Sequence, residues 1–157
     1  MAAALIADFE ALPARERNVP RMVFLDRSAR ELYPEWDAVA AESVDYLRMY
    51  AGRAPDDPEL TELVGELSIH SPDFRELWAR HDVVDKGHGT KILRHPVVGE
   101  ITITYATLQL PGDTDQLLVT YTVEPGSPSE QNLRLLASWA APDRENSRFV
   151  PREPRLP

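Results

Sequence analysis

Apolar residues follow two different periods along the chain. Up to Arg80 they recur at positions i, i+3 and i+4, as on one face of an α-helix, whereas beyond Arg80 they alternate with polar residues, as on a half-buried strand. The longest helical stretch runs from Pro34 to Gly52, with a proline and acidic residues in its first turn and a glycine at its end. Its predicted buried face carries Trp36, Val39, Ala40, Val44, Leu47 and either Tyr50 or Ala51.

Shorter helices are predicted on both sides of this stretch. Two of them are marked by apolar residues at helical spacing, namely Leu5, Ile6 and Phe9 before Pro13, and then Val19, Met22, Val23 and Phe24. Two later helices begin at Asp57 and Ser71, each with a capping side-chain oxygen followed by a proline and an acidic residue. Their predicted buried faces are Leu60, Leu63, Val64 and Leu67 in the first, and Phe74, Leu77, Trp78 and His81 in the second.

The second half predicts a meander of three antiparallel strands. The first strand, Thr90 to His95, follows a turn at Gly87-His88-Gly89. The other two strands contain Ile101 to Tyr105 and Leu117 to Val123, where apolar and polar residues alternate. A helical first half followed by such a meander predicts an α+β fold.

One more helix is predicted after the strands. It begins at Ser127, which has the spacing of a capping box with Glu130, and its predicted buried face is Leu133, Leu136, Ala137 and Ala140. From Pro142 onward the chain has four prolines, four arginines and few apolar residues, which predicts a disordered tail. We therefore expect one domain over residues 1–141 and a tail over residues 142–157.

Length and composition limit the class of protein. The chain has 157 residues, of which 43% are hydrophobic and 27% are charged, as in one globular domain. It contains no cysteine, so disulfides, zinc–thiolate sites and thiol catalysis are excluded. No apolar run is long enough to span a bilayer, and no basic segment precedes Ala2 to Ala7 as in a signal peptide. The sequence predicts a cytoplasmic protein with no membrane partner.

Charge argues against direct contact with nucleic acid. Lysine and arginine number 17 and aspartate and glutamate 26, which gives a net charge of −9. DNA-binding proteins draw most of their affinity from basic side chains that neutralise phosphates, and no basic stripe offsets the acidic excess here. We expect that this polypeptide does not bind DNA by itself.

Metal binding and catalysis have little support in the sequence. His81, His88 and His95 are spaced by seven residues, which matches no common pattern of metal ligands, so neither a metal nor a cofactor is expected. No nucleophile elbow and no phosphate-binding glycine loop occurs. One enzymatic alternative stays open, in which His81 and Asp82 act as an acid–base pair in a pocket.

A series of short motifs runs through residues 5 to 141. Those of the first half are Asp8-Phe9, Arg17-Asn18, Phe24-Leu25-Asp26, Arg30-Glu31-Leu32-Tyr33-Pro34-Glu35-Trp36, Gly52-Arg53, Pro55-Asp56-Asp57-Pro58, Leu63-Val64-Gly65-Glu66-Leu67-Ser68, Ser71-Pro72, Phe74 and Leu77-Trp78-Ala79-Arg80-His81-Asp82-Val83. Those of the second half are Lys91, His95-Pro96, Val98-Gly99-Glu100, Tyr121-Thr122, Glu124-Pro125-Gly126-Ser127-Pro128 and Leu135-Leu136-Ala137-Ser138-Trp139. In this order they resemble the MmyB-like ligand-binding domain of XRE-type helix-turn-helix transcription regulators from actinobacteria.

The resemblance implies a PAS-like α+β fold, with the helices packed on one face of an antiparallel sheet. It also implies a pocket for apolar or fatty-acid-like molecules, and a helix-turn-helix domain that precedes this one and binds DNA as a dimer. Family members enter the domain through a strand before the helix that Ala2 to Phe9 match, so that strand and the DNA-binding domain are expected to be missing here. The resulting open sheet edge could pair with a second copy of the chain.

The residues expected at the pocket combine large apolar groups with a polar end. They are Trp36, Leu47, Phe74, Trp78, Tyr105 and Tyr121 for the walls, and Arg80 and His81 for a ligand head group. Lys91 and His95 share one strand face and could contact a ligand head group, but a solvated surface is expected for them. The same choice, between a head-group contact and a solvated surface, applies to Arg17 and Arg21. Two alternatives to a sensing domain stay open: the enzyme that uses His81 and Asp82, and a dimerisation module with a filled core.

Overall fold

The computed structural model of the chain describes residues 5–80 and 87–139, apart from the side chains of residues 113–115. A short 3-10 turn (Ala14–Glu16) comes first. The helices and strands that follow it are α1 (Val19–Leu25), α2 (Ser28–Leu32), α3 (Trp36–Arg53), α4 (Pro58–His70), α5 (Pro72–Ala79), β1 (His88–His95), β2 (Gly99–Leu110), β3 (Asp113–Thr122) and α6 (Pro128–Trp139). The predicted α+β class is confirmed, and the arrangement is consistent with a PAS-like domain.

The strands form one antiparallel sheet in the order β1-β2-β3, as the meander predicted. Alternation holds along β2, where Ile101, Ile103 and Tyr105 are buried and Thr102 and Thr104 are exposed. These buried side chains define the inner face of the sheet. The helical first half lies on this face.

The hairpin formed by β2 and β3 departs from the predicted alternation at its far end. Leu117 and Val119 were expected on the buried face but are 38% and 39% exposed. On the opposite face Leu108 and Leu118 are 51% and 50% exposed. This end of the hairpin therefore carries apolar side chains on both faces that the described helices only partly cover.

Strand β1 is longer than predicted at its start. His88 and Gly89 pair with Ala106 and Tyr105 of β2, so the expected turn at Gly87-His88-Gly89 is wrong for two of its three residues. Gly89 instead allows the Tyr105 ring to pack closely against the backbone of β1. A Cβ atom at Gly89 would lie 2.8 Å from the Tyr105 hydroxyl, so the tyrosine ring lies against a bare backbone.

Helix α3 closely matches its predicted buried face. Trp36, Val39, Ala40, Val44 and Leu47 are all buried, as is Ser43. Tyr50, in contrast, is 41% exposed. The helix begins two residues later than predicted because Glu35, with φ −99° and ψ 50°, is not helical, which leaves Pro34 outside the first turn. Gly52 lies within the last turn, and the helix ends at Arg53.

Two apolar clusters lie on different sides of α3. We call the first the sheet-side core; its buried members are Leu5, Val23, Ala29, Tyr33, Trp36, Val39, Ala40, Leu93, Ile101, Ile103 and Leu136. We call the second the helix-side core; its buried members are Val44, Leu47, Leu60, Leu67 and Phe74. Phe24 of α1 packs against both clusters and contacts Trp36 and Phe74 edge to face.

Trp36 connects α3 to the end of α1. Its Nε1 donates a hydrogen bond to the carbonyl oxygen of Val23 at 3.0 Å, and this carbonyl lies in the last turn of α1, where the helix itself offers no donor. The guanidinium group of Arg30 lies 3.6 Å from the centroid of the indole ring. Arg30 also pairs with Asp73 of α5 at 2.6 Å. The tryptophan thus fixes the positions of several helices.

The helix starts predicted from capping residues are confirmed. Asp57 Oδ1 accepts from the backbone nitrogens of Glu59 and Leu60 at 2.8 and 3.4 Å. Ser71 Oγ accepts from Phe74 N at 3.1 Å, and the same serine ends α4. Helix α2 was not predicted, because five residues are too few to establish a helical period.

Helix α6 closes one edge of β2. Strand β3 pairs with β2 only from Thr104 onward. Before that point the nitrogen of Thr102 donates to Ser129 Oγ at 2.9 Å, and the oxygen of Glu100 accepts from Asn132 Nδ2 at 3.0 Å. Side chains of α6 therefore satisfy backbone groups that a further strand would otherwise pair with.

The cap of α6 differs in detail from the predicted capping box. Ser127 Oγ accepts from Glu130 N at 3.2 Å, as expected. The carboxylate of Glu130, however, accepts from Gly126 N at 2.7 Å rather than from Ser127. Of the predicted buried face, Leu136 is fully buried and Leu133 packs against the sheet-side core.

Three sequence predictions lie outside the described residues. They concern the part of the first predicted helix before Leu5, the segment that holds His81 and Asp82, and the tail. In the described part of that first helix the prediction is wrong, because Ile6 and Phe9 are not helical. The domain boundary at residue 141 also stays a prediction.

Replacing Trp36 with phenylalanine should lower the free energy of unfolding by about 1–3 kcal/mol, because it keeps an aromatic ring but leaves the Val23 carbonyl without its donor. Urea denaturation followed by circular dichroism measures the loss. Trp139, which is 70% exposed, offers the matched control, and Trp139→Phe should change stability by less than about 0.5 kcal/mol. Equal losses in the two variants would contradict the assigned role of Trp36.

Candidate functional site

A cavity of about 360 Å³ lies between the middle of α3 and the inner face of the sheet. Its walls are mostly apolar and come from the N-terminal segment, α1, α3 and all three strands. The lining residues are Ile6, Phe9, Val19, Pro20, Tyr33, Val39, Glu42, Ser43, Tyr46, Lys91, Leu93, Ile103, Tyr105, Thr107, Leu117, Val119 and Tyr121.

The local periods of the chain explain how these residues come together. On α3, the residues Val39, Glu42, Ser43 and Tyr46 recur at spacings of three and four, so they form one flank of the helix. On the strands, the lining residues are separated by two positions, as on one face of a sheet. The helical flank and the sheet face enclose the cavity between them.

The cavity contains an ion pair between α3 and β1. Lys91 Nζ lies 2.7 Å from Glu42 Oε2, and the side chains are only 22% and 11% exposed. Lys91 Nζ also lies 4.5 Å from the centroid of the Tyr105 ring. Among the residues that the structure describes, Glu42 Oε1 is the one buried side-chain nitrogen or oxygen atom without a hydrogen-bond partner.

Three tyrosines surround this carboxylate. Burial raises the pKa of Tyr105, and the hydrogen bond and negative charge of Glu42 raise it further. Burial also raises the pKa of Tyr33, with smaller contributions from Tyr121 and Glu42. The pKa of Tyr121 is raised by burial first and then by Glu42 and Tyr46. All three phenols therefore remain protonated at neutral pH.

Three further hydroxyl groups of the cavity bond within the protein. The hydroxyls of Tyr46 and Thr107 lie 3.0 Å apart and connect α3 to β2. Ser43 Oγ donates to Val39 O at 2.8 Å, one turn back along its own helix. The cavity thus has an apolar body with its charges collected at Glu42 and Lys91.

The residues predicted for the pocket are distributed over several parts of the molecule. Tyr105 and Tyr121 line the cavity. Trp36 belongs to the sheet-side core, while Leu47, Phe74 and Trp78 are packed in the helix-side core. Of these four, none is among the described lining residues of the cavity.

The polar residues predicted for a ligand head group are elsewhere or undescribed. The guanidinium group of Arg80 is 57% exposed and pairs with Glu76, one turn earlier on α5. His81, like Asp82, lies outside the described residues. The end of α5 is instead held by Arg48, whose guanidinium donates to the carbonyl oxygens of Leu77 and Trp78 at 2.8 and 2.7 Å.

Lys91 and His95 do share one strand face, but the solvated surface expected for them is wrong. His95 is 9% exposed, and its Nδ1 accepts from Val97 N at 3.2 Å. Lys91 faces the cavity. The reason is that Leu93, between them on the same face, is fully buried in the sheet-side core.

The two arginines near α1 contact the protein itself. Arg21 pairs with Glu66 of α4. Arg17 donates to the carbonyl oxygens of Leu12 and Glu10 at 2.9 and 3.2 Å. Arg21 also borders a second, open groove of about 630 Å³ between α1 and α4, whose acidic and basic side chains are largely paired with each other.

Glu42 is the functional candidate that the sequence prediction missed. A signal was present, because Glu42 follows Val39 by three positions and precedes Tyr46 by four on the longest predicted helix. A charged residue so close to an apolar face needs a partner, and the partner, Lys91, is 49 positions later on a strand face that was expected to be solvated.

The described ranges 5–80 and 87–139 hold neither a cluster of metal ligands nor a helix able to cross a membrane. No group of three or more potential metal ligands occurs in these ranges. Within the same ranges, no helix combines the length and apolar character needed to cross a bilayer.

An α+β domain that encloses an apolar cavity with a few polar groups has the form of a small-molecule-binding domain. Residues 1–136 match the MmyB-like transcription regulator ligand binding domain, and the chain belongs to that family. No curated protein matches the chain. The family resemblance inferred from the motifs is confirmed, and the chain is a ligand-binding domain of a transcription regulator.

Replacing Gly89 with alanine should destabilise the fold by about 1–3 kcal/mol, because the added Cβ would approach the Tyr105 ring to within 2.8–3.0 Å and displace it. Thermal unfolding measures the effect. Gly87→Ala is the matched control, since no atom lies within 4 Å of a Cβ there. A smaller loss in Gly89→Ala than in Gly87→Ala would refute this packing.

Stability should fall as the pH rises above about 10, the pKa of an unfolded tyrosine. The folded state holds the protons of Tyr33 and Tyr105 beyond that pH because their pKa values are raised, so deprotonation favours the unfolded chain. Urea denaturation at several pH values measures the slope. The double variant Tyr33→Phe/Tyr105→Phe should flatten it, and an unchanged slope would contradict the assignment.

Proposed function

We propose that this domain senses an apolar or amphipathic small molecule, with a fatty-acid-like chain, by binding it in the cavity between α3 and the sheet. The observation that carries the proposal is the cavity itself, whose mostly apolar walls end in one cluster of polar groups around Glu42 and Lys91. Such a distribution suits a molecule with an apolar chain and a polar head. Family membership supports the same function.

The size of the cavity favours a sensing domain over a module with a filled core. Its volume of about 360 Å³ is far above the roughly 30 Å³ that one water occupies. Ligand pockets in proteins run from about 300 to 1,000 Å³, so this one is at the small end of that range. A molecule with one alkyl chain fits this volume better than a large ring system does.

Burial of the ligand's alkyl chain supplies the binding affinity in this proposal. Each methylene group transferred from water to an apolar site contributes about 0.8 kcal/mol. Val39, Leu93 and Ile103 offer such a surface in the body of the cavity. Leu117 and Val119, at 38% and 39% exposed, form a partly open border that can admit a ligand.

The readout that we propose is a shift of α3. This helix lines the cavity with one flank and contributes Val44 and Leu47 to the helix-side core with another, so a ligand that moves the helix alters both cores. Such a ligand acts only if it binds one position of the helix more tightly than the other. We further propose that DNA contact belongs to a helix-turn-helix domain and that a homodimer contact transmits the shift, since the net charge of −9 disfavours direct DNA binding by this chain.

The first experiment is native mass spectrometry of the purified chain, followed by denaturing extraction of bound molecules. A co-purified amphipathic molecule at a near-stoichiometric level supports the proposal and gives the ligand class. A ligand-free mass, together with no thermal stabilisation by a lipid panel, would reject it in favour of the dimerisation module. The same spectrum reports whether the chain is a monomer or a dimer.

Filling the cavity should weaken ligand binding. Ser43→Leu adds an apolar side chain at a lining position and gives up only a hydroxyl bond within the same helix, so ligand affinity should fall at least about tenfold, or about 1.4 kcal/mol. Ser68→Leu is the matched control, because Ser68 makes the same bond to Val64 O on α4 away from the cavity. Thermal-shift titration measures both. Equal losses in the two variants would place the ligand elsewhere.

A further inference from the structure

We propose that the cavity selects an amphipathic ligand whose head group donates a hydrogen bond and carries no negative charge, such as a long-chain alcohol or primary amide rather than a carboxylate. The inference rests on the proposed function and narrows its ligand class. It comes from the arrangement of Glu42, Lys91 and the tyrosines at the polar end of the cavity.

The unpaired oxygen of Glu42 is the first observation. Oε2 of this carboxylate bonds to Lys91, but Oε1 is buried and has no partner among the described residues. A buried carboxylate oxygen without a donor is destabilised, because it has lost water and gained nothing in exchange. A ligand hydroxyl or amide N–H in the cavity would supply the missing donor.

The position of Lys91 is the second observation. Its ammonium group lies 2.7 Å from Glu42 Oε2 and above the Tyr105 ring, so its charge is already compensated. A ligand carboxylate at this end would meet a neutral ion pair that presents a bare carboxylate oxygen. Like charges in contact repel strongly where water is largely excluded.

Lys91 could serve a ligand carboxylate only by leaving Glu42. That exchange would leave Glu42, which is 11% exposed, without a counter-charge. Breaking a buried pair in this way is strongly unfavourable, because the abandoned charge is still desolvated. The ion pair therefore disfavours a fatty acid at this site even though a lysine is present.

The tyrosines complete the preference for an alcohol. Tyr105 and Tyr121 line the cavity with phenol groups that remain protonated at neutral pH. Since the Tyr105 phenol already donates to Glu42, a ligand hydroxyl can donate to Glu42 Oε1 and accept from the Tyr121 phenol at the same time. An ether lacks the donor.

The test compares three probes built on a ten-carbon chain: decanol, decanoate and decyl methyl ether. Isothermal titration of the intact chain should give a dissociation constant for decanol at least about tenfold below those of the other two, which corresponds to about 1.4 kcal/mol. Decanoate binding as tightly as decanol, or the ether doing so, would overturn the proposal while the proposed function stood. If no probe binds, the proposed function is contradicted as well. Failure of the head-group proposal and failure of the proposed function are therefore distinguishable.

A substitution at Glu42 adds a second readout. Glu42→Gln keeps the shape of the side chain but removes its charge and frees Lys91, so decanoate should now bind more tightly than decanol. Glu62→Gln, an equivalent change at a side chain that is 68% exposed and away from the cavity, should leave the order of the probes unchanged. An unchanged order in a folded Glu42→Gln protein would overturn the proposal. If that variant does not fold by circular dichroism, the three probes on the unaltered chain decide alone.

Discussion

A single helix has to close two cores, and this requirement on α3 governs the rest of the structure. The residues that face the sheet, such as Trp36 and Val39, belong to one cluster, and those that face α4 and α5, such as Val44 and Leu47, belong to another. One amphipathic stripe is too narrow for both tasks along 18 residues. The flank of α3 between these two faces carries Glu42, Ser43 and Tyr46. The cavity lies between this flank and the sheet.

The sequence predicted best those features that depend on near neighbours. The side chains of Asp57, Ser71 and Ser127 cap helices because their donors are two or three residues away. The alternation along β2 was equally reliable, since each residue needs only its own strand to define its face. Such local signals established the fold class and the starts of α4, α5 and α6.

The site was harder to predict because it depends on what lies opposite each buried face. Periodicity showed that both Trp36 and Tyr105 are buried, but only one of them borders a cavity. The pairing of Glu42 with Lys91 joins residues from different halves of the chain, and no spacing rule connects them. Lys91 and His95 were expected on a solvated surface, whereas the face they share is buried around Leu93 in the sheet-side core. Functional sites often depart from local rules in this way.

The contact of α6 with β2 also limits how the sheet could grow. Ser129 and Asn132 occupy the backbone groups of Thr102 and Glu100, just where strand β3 ends. A strand could pair with β2 beyond the end of β3 only by displacing the helix. Helix α6 therefore takes the place of a strand along this stretch of the β2 edge.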